Sequence, residues 1–179
     1  KLQGLPGIGE KSEQRILAGV EAVRRRSKRM TLDVARGLAQ RWLDWLRAQP
    51  GVSEAEAAGS LRRWKTTIGD LDLVAVASDP SAVMEAFTTH PDVRTVLGSG
   101  ANKSSIEMKN GVKVQLWIQP AENWGSLLMF VTGSKDHNVR IRELAQKQGL
   151  SLSERGFLRE DGSEQACATE EDVYATLGM

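Results

Sequence analysis

The sequence predicts an α+β fold, and three observations carry that expectation. Leu38, Trp42, Trp45 and Leu46 recur at helical spacing within 32–48. Short β-type runs separated by turns follow over 71–77, 94–97, 105–109 and 112–118, the last opened by the hairpin signal Asn110-Gly111. Helical patterns then return over 134–148 and 169–177.

Taken in order, Leu5-Pro6-Gly7-Ile8-Gly9-Glu10-Lys11 reads as a glycine-punctuated hairpin, and Ser12 opens a helix running to about Ser27. After a break near Arg29-Met30, Thr31 caps a second helix over 32–48, which Pro50-Gly51 ends. A helix over about 81–89 interrupts the strands, so the body mixes α and β. A short irregular or β piece lies near 150–160, and no internal repeat or low-complexity tract is present. The chain of 179 residues suffices for one domain or two small subdomains with a real core.

Composition narrows the function classes. With 40 % hydrophobic and 26 % charged residues, long disorder and a coiled coil are disfavoured. The single cysteine, Cys167, excludes an internal disulfide framework and a Cys-rich zinc site, which His90 and His137 cannot complete alone. No apolar run approaches the roughly 18 residues of a membrane span, and no charged-then-apolar signal segment opens the chain. The expectation is a soluble, cytoplasmic protein without a membrane partner. Its net charge of +1 hides an asymmetry: residues 1–47 hold 11 Lys+Arg against 5 Asp+Glu, and the remainder 13 against 18. A basic end joined to an acidic body suits gripping a polyanion with one part and doing chemistry with the other, although two solvated faces would look the same.

Two segments carry chemistry. Gly7, Gly9 and Lys11 leave backbone amides and one cation available at a helix start, a combination that holds a nucleic-acid phosphate or serves as an ordinary turn. Five bases within 24–29 stand beside it and add to the positive field. The more informative segment runs from Gly59-Ser60 through Arg62-Arg63 to Gly69-Asp70-Leu71-Asp72. On a strand Asp70 and Asp72 share a face while Leu71 and Leu73 enter the core. Two adjacent carboxylates repel unless a divalent cation lies between them, and Mg²⁺ favours oxygen ligands of this kind together with substrate phosphates. Gly59 and Ser60 offer a backbone turn and a hydroxyl to phosphates, and Arg63 adds a planar cation.

The run Gly-Ser-Leu-Arg-Arg followed by Gly-Asp-Leu-Asp resembles the signature of nucleotidyltransferases, specifically the bacterial members of the family X DNA polymerases. The run from Phe130 through Thr132-Gly133-Ser134-Lys135-Asp136-His137-Asn138 to Arg142 resembles that family's Tyr-Phe-Thr-Gly-Ser block, and 149–157 continues the likeness. The opening hairpin resembles a helix-hairpin-helix element. The resemblance implies three pieces: a DNA-binding subdomain over 1–49, a nucleotidyltransferase palm with a mixed or antiparallel sheet over 50–130, and a small α/β nucleotide-selecting subdomain over 131–179. It implies gap-filling DNA synthesis on gapped or primer-template DNA, with a primer 3′-hydroxyl attacking a deoxynucleoside triphosphate under a two-metal Mg²⁺ or Mn²⁺ mechanism. Asp70 and Asp72 would hold metal. Gly59, Ser60, Arg63, Gly69 and Arg29 would meet the triphosphate, Gly133 the sugar, and Asn138 and Arg142 the nascent pair. Gly7, Gly9 and Lys11 would bind DNA, with a monovalent cation at the hairpin. It further implies a nucleoid-associated monomer whose chain is a core cut from a longer protein.

One position departs from that pattern. Where the family carries a third carboxylate in a Val-Asp-Leu-Arg setting, this chain reads Val114-Gln115-Leu116-Trp117. Alternation places Gln115 and Trp117 on the cleft face, so an uncharged amide stands where the third acid is expected and an aromatic wall replaces an arginine. Phe130-Val131 likewise stands for the family's Tyr-Phe. The expectation is a polymerase that works slowly or favours Mn²⁺. The alternatives are a DNA-binding module with a decayed palm and a nucleotidyltransferase acting on a small molecule or RNA.

Overall fold

The computed structural model describes residues 9, 11–14, 16 and 29–179. Gly7 and the other hairpin residues apart from Gly9 and Lys11, with the cation expected there, lie outside the described residues, as does the basic run before Arg29. Residues 11–14 are helical, as Ser12 predicts, and the Gly9 carbonyl accepts from the Glu13 N–H at 3.0 Å.

Helix α1 (Leu32–Arg47) follows the short strand β1 (Met30–Thr31) and turns Ala35, Leu38, Ala39, Trp42, Leu43 and Leu46 inward. Thr31 is its N-cap residue, but its side chain makes no capping bond to the helix backbone. A turn at Pro50-Gly51 ends the helix, with Gly51 at φ +79°. Strand β2 (Val52–Ala57), the short helix α2 (Gly59–Arg62) and strand β3 (Thr67–Ile68) lead to β4 (Asp70–Ala77). Helix α3 (Pro80–Thr88) starts where Asp79 accepts the Ala82 N–H at 3.0 Å with proline in the first turn. Strands β5 (Val93–Gly98), β6 (Lys103–Met108) and β7 (Lys113–Ile118) complete a five-stranded sheet ordered β2-β4-β7-β6-β5. It is mixed, because β4 and β7 pair in parallel while the other neighbours are antiparallel.

The sheet core forms because β7 alternates strictly and β4 does so over Asp70–Leu73 before becoming buried on both faces from Val74 onward. Leu71, Leu73, Val114, Leu116 and Ile118 are fully buried and meet the apolar stripe of α1 together with Val83, Met84 and Phe87 of α3. Each such side chain contributes roughly 1.5–3 kcal/mol by leaving water. Helix α1, which the sequence assigns to the first segment, thus shares one core with the sheet.

After a single 3-10 turn (Ala121–Asn123), helix α4 (Trp124–Thr132) lies on the other side of the sheet, packing Leu127 and Leu128 against Ala58 and Val74. Helix α5 (Lys135–Lys147) and helix α6 (Glu170–Thr176) enclose a second core with a small antiparallel sheet of β8 (Leu150–Ser153), β9 (Gly156–Arg159) and β10 (Glu164–Gln165). The piece near 150–160 is therefore a β-hairpin, β8 pairing with β9 across the turn at Glu154-Arg155. A capping box fixes the start of α6: Thr169 Oγ1 accepts the Asp172 N–H and the Asp172 carboxylate accepts the Thr169 N–H. Among the described residues no helix is long and apolar enough to cross a membrane.

Candidate active site

The parallel pairing of β4 and β7 sets Asp70 opposite Lys113, Asp72 opposite Gln115 and Val74 opposite Trp117. Because Leu71 and Leu73 face the core, Asp70 and Asp72 share the opposite face, and both are half-buried. The same alternation turns Lys113, Gln115 and Trp117 to that face on β7, so an amide stands beside the two acids. Gln115 Nε2 donates to Asp70 Oδ2 at 3.4 Å. Burial, followed by the charge of Asp70, pushes the Asp72 carboxyl from 3.8 up to about 6, while Arg63 and Lys103 pull the other way.

Helix α2 lies directly against the acids. Gly59 has φ +56°, and a Cβ there would collide with the Asp72 carboxylate, so only glycine permits this approach. The Ala58 N–H donates to the Asp72 carbonyl at 2.8 Å, fixing the start of α2 to β4. This places Ser60 and Arg63 beside the strand end that carries the acids. The Arg63 guanidinium donates through Nη1 to the Thr132 carbonyl at the end of α4, and a Cβ on Gly133 would come within 3.2 Å of that nitrogen. Gly133 sits at φ +69° in a turn closed by its N–H to the Met129 carbonyl at 3.1 Å. Arg63 Nε is buried and has no partner among the described residues.

Arg29 reaches the same end of β4. Its Nε donates to Thr67 Oγ1 at 2.8 Å and its Nη2 to the Thr67 carbonyl at 2.5 Å, and a Cβ on Gly69 would lie 3.1 Å from its Nη1. Asn138 holds the Gly133 turn from behind, since its Nδ2 donates to the Phe130 carbonyl at 2.7 Å. Arg142 is exposed one helical turn further, where its Nε donates to the Asn138 carbonyl at 3.2 Å. The fold therefore gathers Arg29, Gly59, Ser60, Arg63, Gly69, Asp70, Asp72, Gln115 and Gly133 around one cleft, while Asn138 and Arg142 stand at its edge. Gly9 and Lys11 are exposed.

Two contributors were not singled out from the sequence. Lys103 of β6 pairs with Trp117 and holds its Nζ 3.9 Å from the Trp117 ring centroid. Arg62 clasps Glu170 of α6 through Nη1 and Nη2 at 2.8 and 2.6 Å and also donates to Thr132 Oγ1 at 3.1 Å, tying α2 to the second core. The run of two arginines was a partial signal for Arg62. Lys103 had none, because only the antiparallel register brings it to the cleft. Trp117 itself packs against Phe130, with ring centroids 6.1 Å apart, and is a wall of the cleft.

Residues 127–179 match the family model for the DNA polymerase beta thumb. The whole chain is 31 % identical over 182 aligned residues to the DNA polymerase/3'-5' exonuclease PolX of Bacillus subtilis (strain 168). The chain is a relative of the family X DNA polymerases. A second member of that family, DNA polymerase lambda of Rattus norvegicus, is 25 % identical over 152 residues, or 69 % of this chain. The chain spans 32 % of the Bacillus protein's length and 26 % of the rat protein's.

Family X polymerases use divalent metals, and the donor set here can be compared with that requirement. Asp70 and Asp72 offer oxygen ligands side by side and fit one hard divalent cation. Among the described residues, no cluster of three or more His, Cys, Asp or Glu side chains is built to hold a metal. Where a third acid would stand, Gln115 turns an amide N–H toward Asp70.

Proposed function

We propose that this chain is the nucleotidyl-transfer core of a DNA-directed DNA polymerase active in gap-filling repair, and that its catalysis is weakened by Gln115. The observation that carries the reading is the convergence of Asp70 and Asp72 with Gly59, Ser60 and Arg63 at the end of one strand. The reaction joins a primer 3′-hydroxyl oxygen to the α-phosphorus of a deoxynucleoside triphosphate and releases pyrophosphate, with the hydroxyl proton passing to solvent or a nearby base. Mg²⁺ or Mn²⁺ held by Asp70 and Asp72 would neutralise charge on the triphosphate and polarise its phosphoryl oxygens.

The chain's own residues supply the rest. Arg63 presents a fixed cation to the triphosphate while its Nη1 anchors on Thr132, so nucleotide contact is coupled to the position of the Gly133 turn. Arg29 and Gly69 line the neighbouring edge, where a backbone without a side chain lets phosphate oxygens approach closely. Gly133 leaves room for the sugar, and Asn138 keeps that turn in place. Residues up to about 49 would grip the duplex through the hairpin and basic stretch, and residues from about 131 onward would lie against the nascent pair. Without a third acid the primer hydroxyl is less readily deprotonated, and turnover falls.

Single-nucleotide insertion on gapped DNA tests the reading. The unmodified chain should insert the templated nucleotide slowly, and Asp70→Ala should abolish insertion while leaving salt-dependent duplex binding. Duplex binding with no incorporation under any metal would instead favour a DNA-binding module on a decayed palm.

A further inference from the structure

We propose that His137 and Tyr174 are positioning residues for the nucleotide: together they lock the Asn138 side-chain amide in the one orientation that holds the Gly133 turn beside the cleft. The inference rests on the nucleotide-transfer reading of that cleft and gives a role to two side chains the reading leaves unused. It starts from the polarity of a row of hydrogen bonds. Asn138 Nδ2 lies 2.7 Å from the Phe130 carbonyl, which can only accept, so the amide nitrogen faces that carbonyl and Oδ1 faces the other way. Oδ1 lies 3.4 Å from His137 Nδ1. That oxygen can only accept as well, so His137 carries a proton on Nδ1. The neutral ring then keeps a lone pair on Nε2, and the Tyr174 hydroxyl, 3.1 Å away, donates to it.

The row therefore runs in one direction, from the Tyr174 O–H through the imidazole and the Asn138 amide to the Phe130 carbonyl. A free histidine side chain favours its proton on Nε2, so the Nδ1–H form needs both partners acting on the ring. Both ends of the row are anchored. At the start of α5, Ser134 Oγ accepts the His137 N–H at 3.4 Å. On α6, Tyr174 stands one turn after Glu170, which Arg62 clasps at 2.8 and 2.6 Å. The two rings are half-buried, with centroids 6.1 Å apart and planes at 64°, so neither side chain swings freely. A flipped Asn138 amide would set its oxygen against the Phe130 oxygen and release the end of α4, where the Gly133 N–H bonds the Met129 carbonyl.

Nuclear magnetic resonance of the full chain with isotope-labelled histidine, in buffer alkaline enough to keep the ring neutral, tests the row without DNA or turnover. The unmodified chain should show His137 as the Nδ1–H tautomer. Tyr174→Phe keeps the ring but removes the O–H, and should return His137 toward the Nε2–H form. Calorimetric titration of a deoxynucleoside triphosphate with Mg²⁺ into the chain on gapped DNA, with a primer lacking its 3′-hydroxyl, then reads the consequence for the nucleotide. Tyr174→Phe and His137→Leu should each weaken nucleotide binding roughly fivefold, the scale of one hydrogen bond. His137→Asn, whose Nδ2 takes the place of Nδ1 as donor to Asn138, should stay within about twofold of the unmodified chain. An Nε2–H ring in the unmodified chain would overturn the proposal. Nucleotide binding that ignores Tyr174→Phe and His137→Leu would overturn this role alone, whereas no nucleotide binding by the unmodified chain would overturn the nucleotide-transfer reading and this role with it.

Discussion

Strands β4 and β7 lie side by side in parallel, and their two faces teach different lessons. On the core face they are equivalent: Leu71 and Leu73 on one, Val114, Leu116 and Ile118 on the other, all fully buried. On the cleft face they differ, since β4 presents two carboxylates where β7 presents Lys113 and Gln115, with Trp117 two residues further on. The fold depends on the first face, and the proposed chemistry would depend on the second. A sheet of this kind can keep its architecture while the charge of its other face changes.

The sharpest way to break that comparison is on the core face. Leu73→Ala should cost about 2–5 kcal/mol of stability in a urea titration, because a fully buried side chain leaves a cavity the sheet cannot close. A loss under about 1 kcal/mol would mean that the core face is not the stabilising one.

Next in size is Asp72→Asn. The folded-state carboxyl is raised to about 6 from 3.8, so the charged form is disfavoured by folding. Above pH 6 the wild-type chain bears the full penalty, and Asp72→Asn should be more stable by on the order of 2 kcal/mol. As pH falls from 6 toward 3.8 the wild-type acid takes up its proton in the folded state first, and the gap should close. Thermal melts of both proteins across that range check the sign, and a gap that widens toward low pH would refute it.

A smaller effect is expected from Gln115→Leu. Its amide makes one long contact to Asp70, so stability should change by less than about 1 kcal/mol, measured by denaturant midpoint. That result would separate β7's cleft face from fold maintenance.

Much of this arrangement was legible in the sequence. Asp70-Leu71-Asp72-Leu73 announces one acidic and one apolar face, and Val114-Gln115-Leu116-Trp117 does the same for β7. Strand β2 was not read as a strand: Val-Ser-Glu-Ala-Glu-Ala is polar, lies at the sheet edge and buries only Ala55. Helix α4 was also missed, since Trp-Gly-Ser-Leu-Leu-Met-Phe-Val-Thr is nearly continuous apolar sequence without a helical period. The link from Arg63 to Thr132 spans 69 positions and depends on how α4 crosses the sheet, which no local pattern reports. Lys103 is hidden for the same reason, because its partner Trp117 is set by register alone.

The central claim is that the cleft is intact in geometry and short of one negative charge. Insertion on gapped DNA, compared in Mg²⁺ and Mn²⁺ for the unmodified chain and for Gln115→Asp, tests it most directly. The account predicts slow insertion in Mg²⁺ by the unmodified chain, a clear gain with Mn²⁺, and a rise of roughly tenfold or more in Mg²⁺ on Gln115→Asp. Full Mg²⁺-dependent activity in the unmodified chain, with no gain from the substitution, would contradict it.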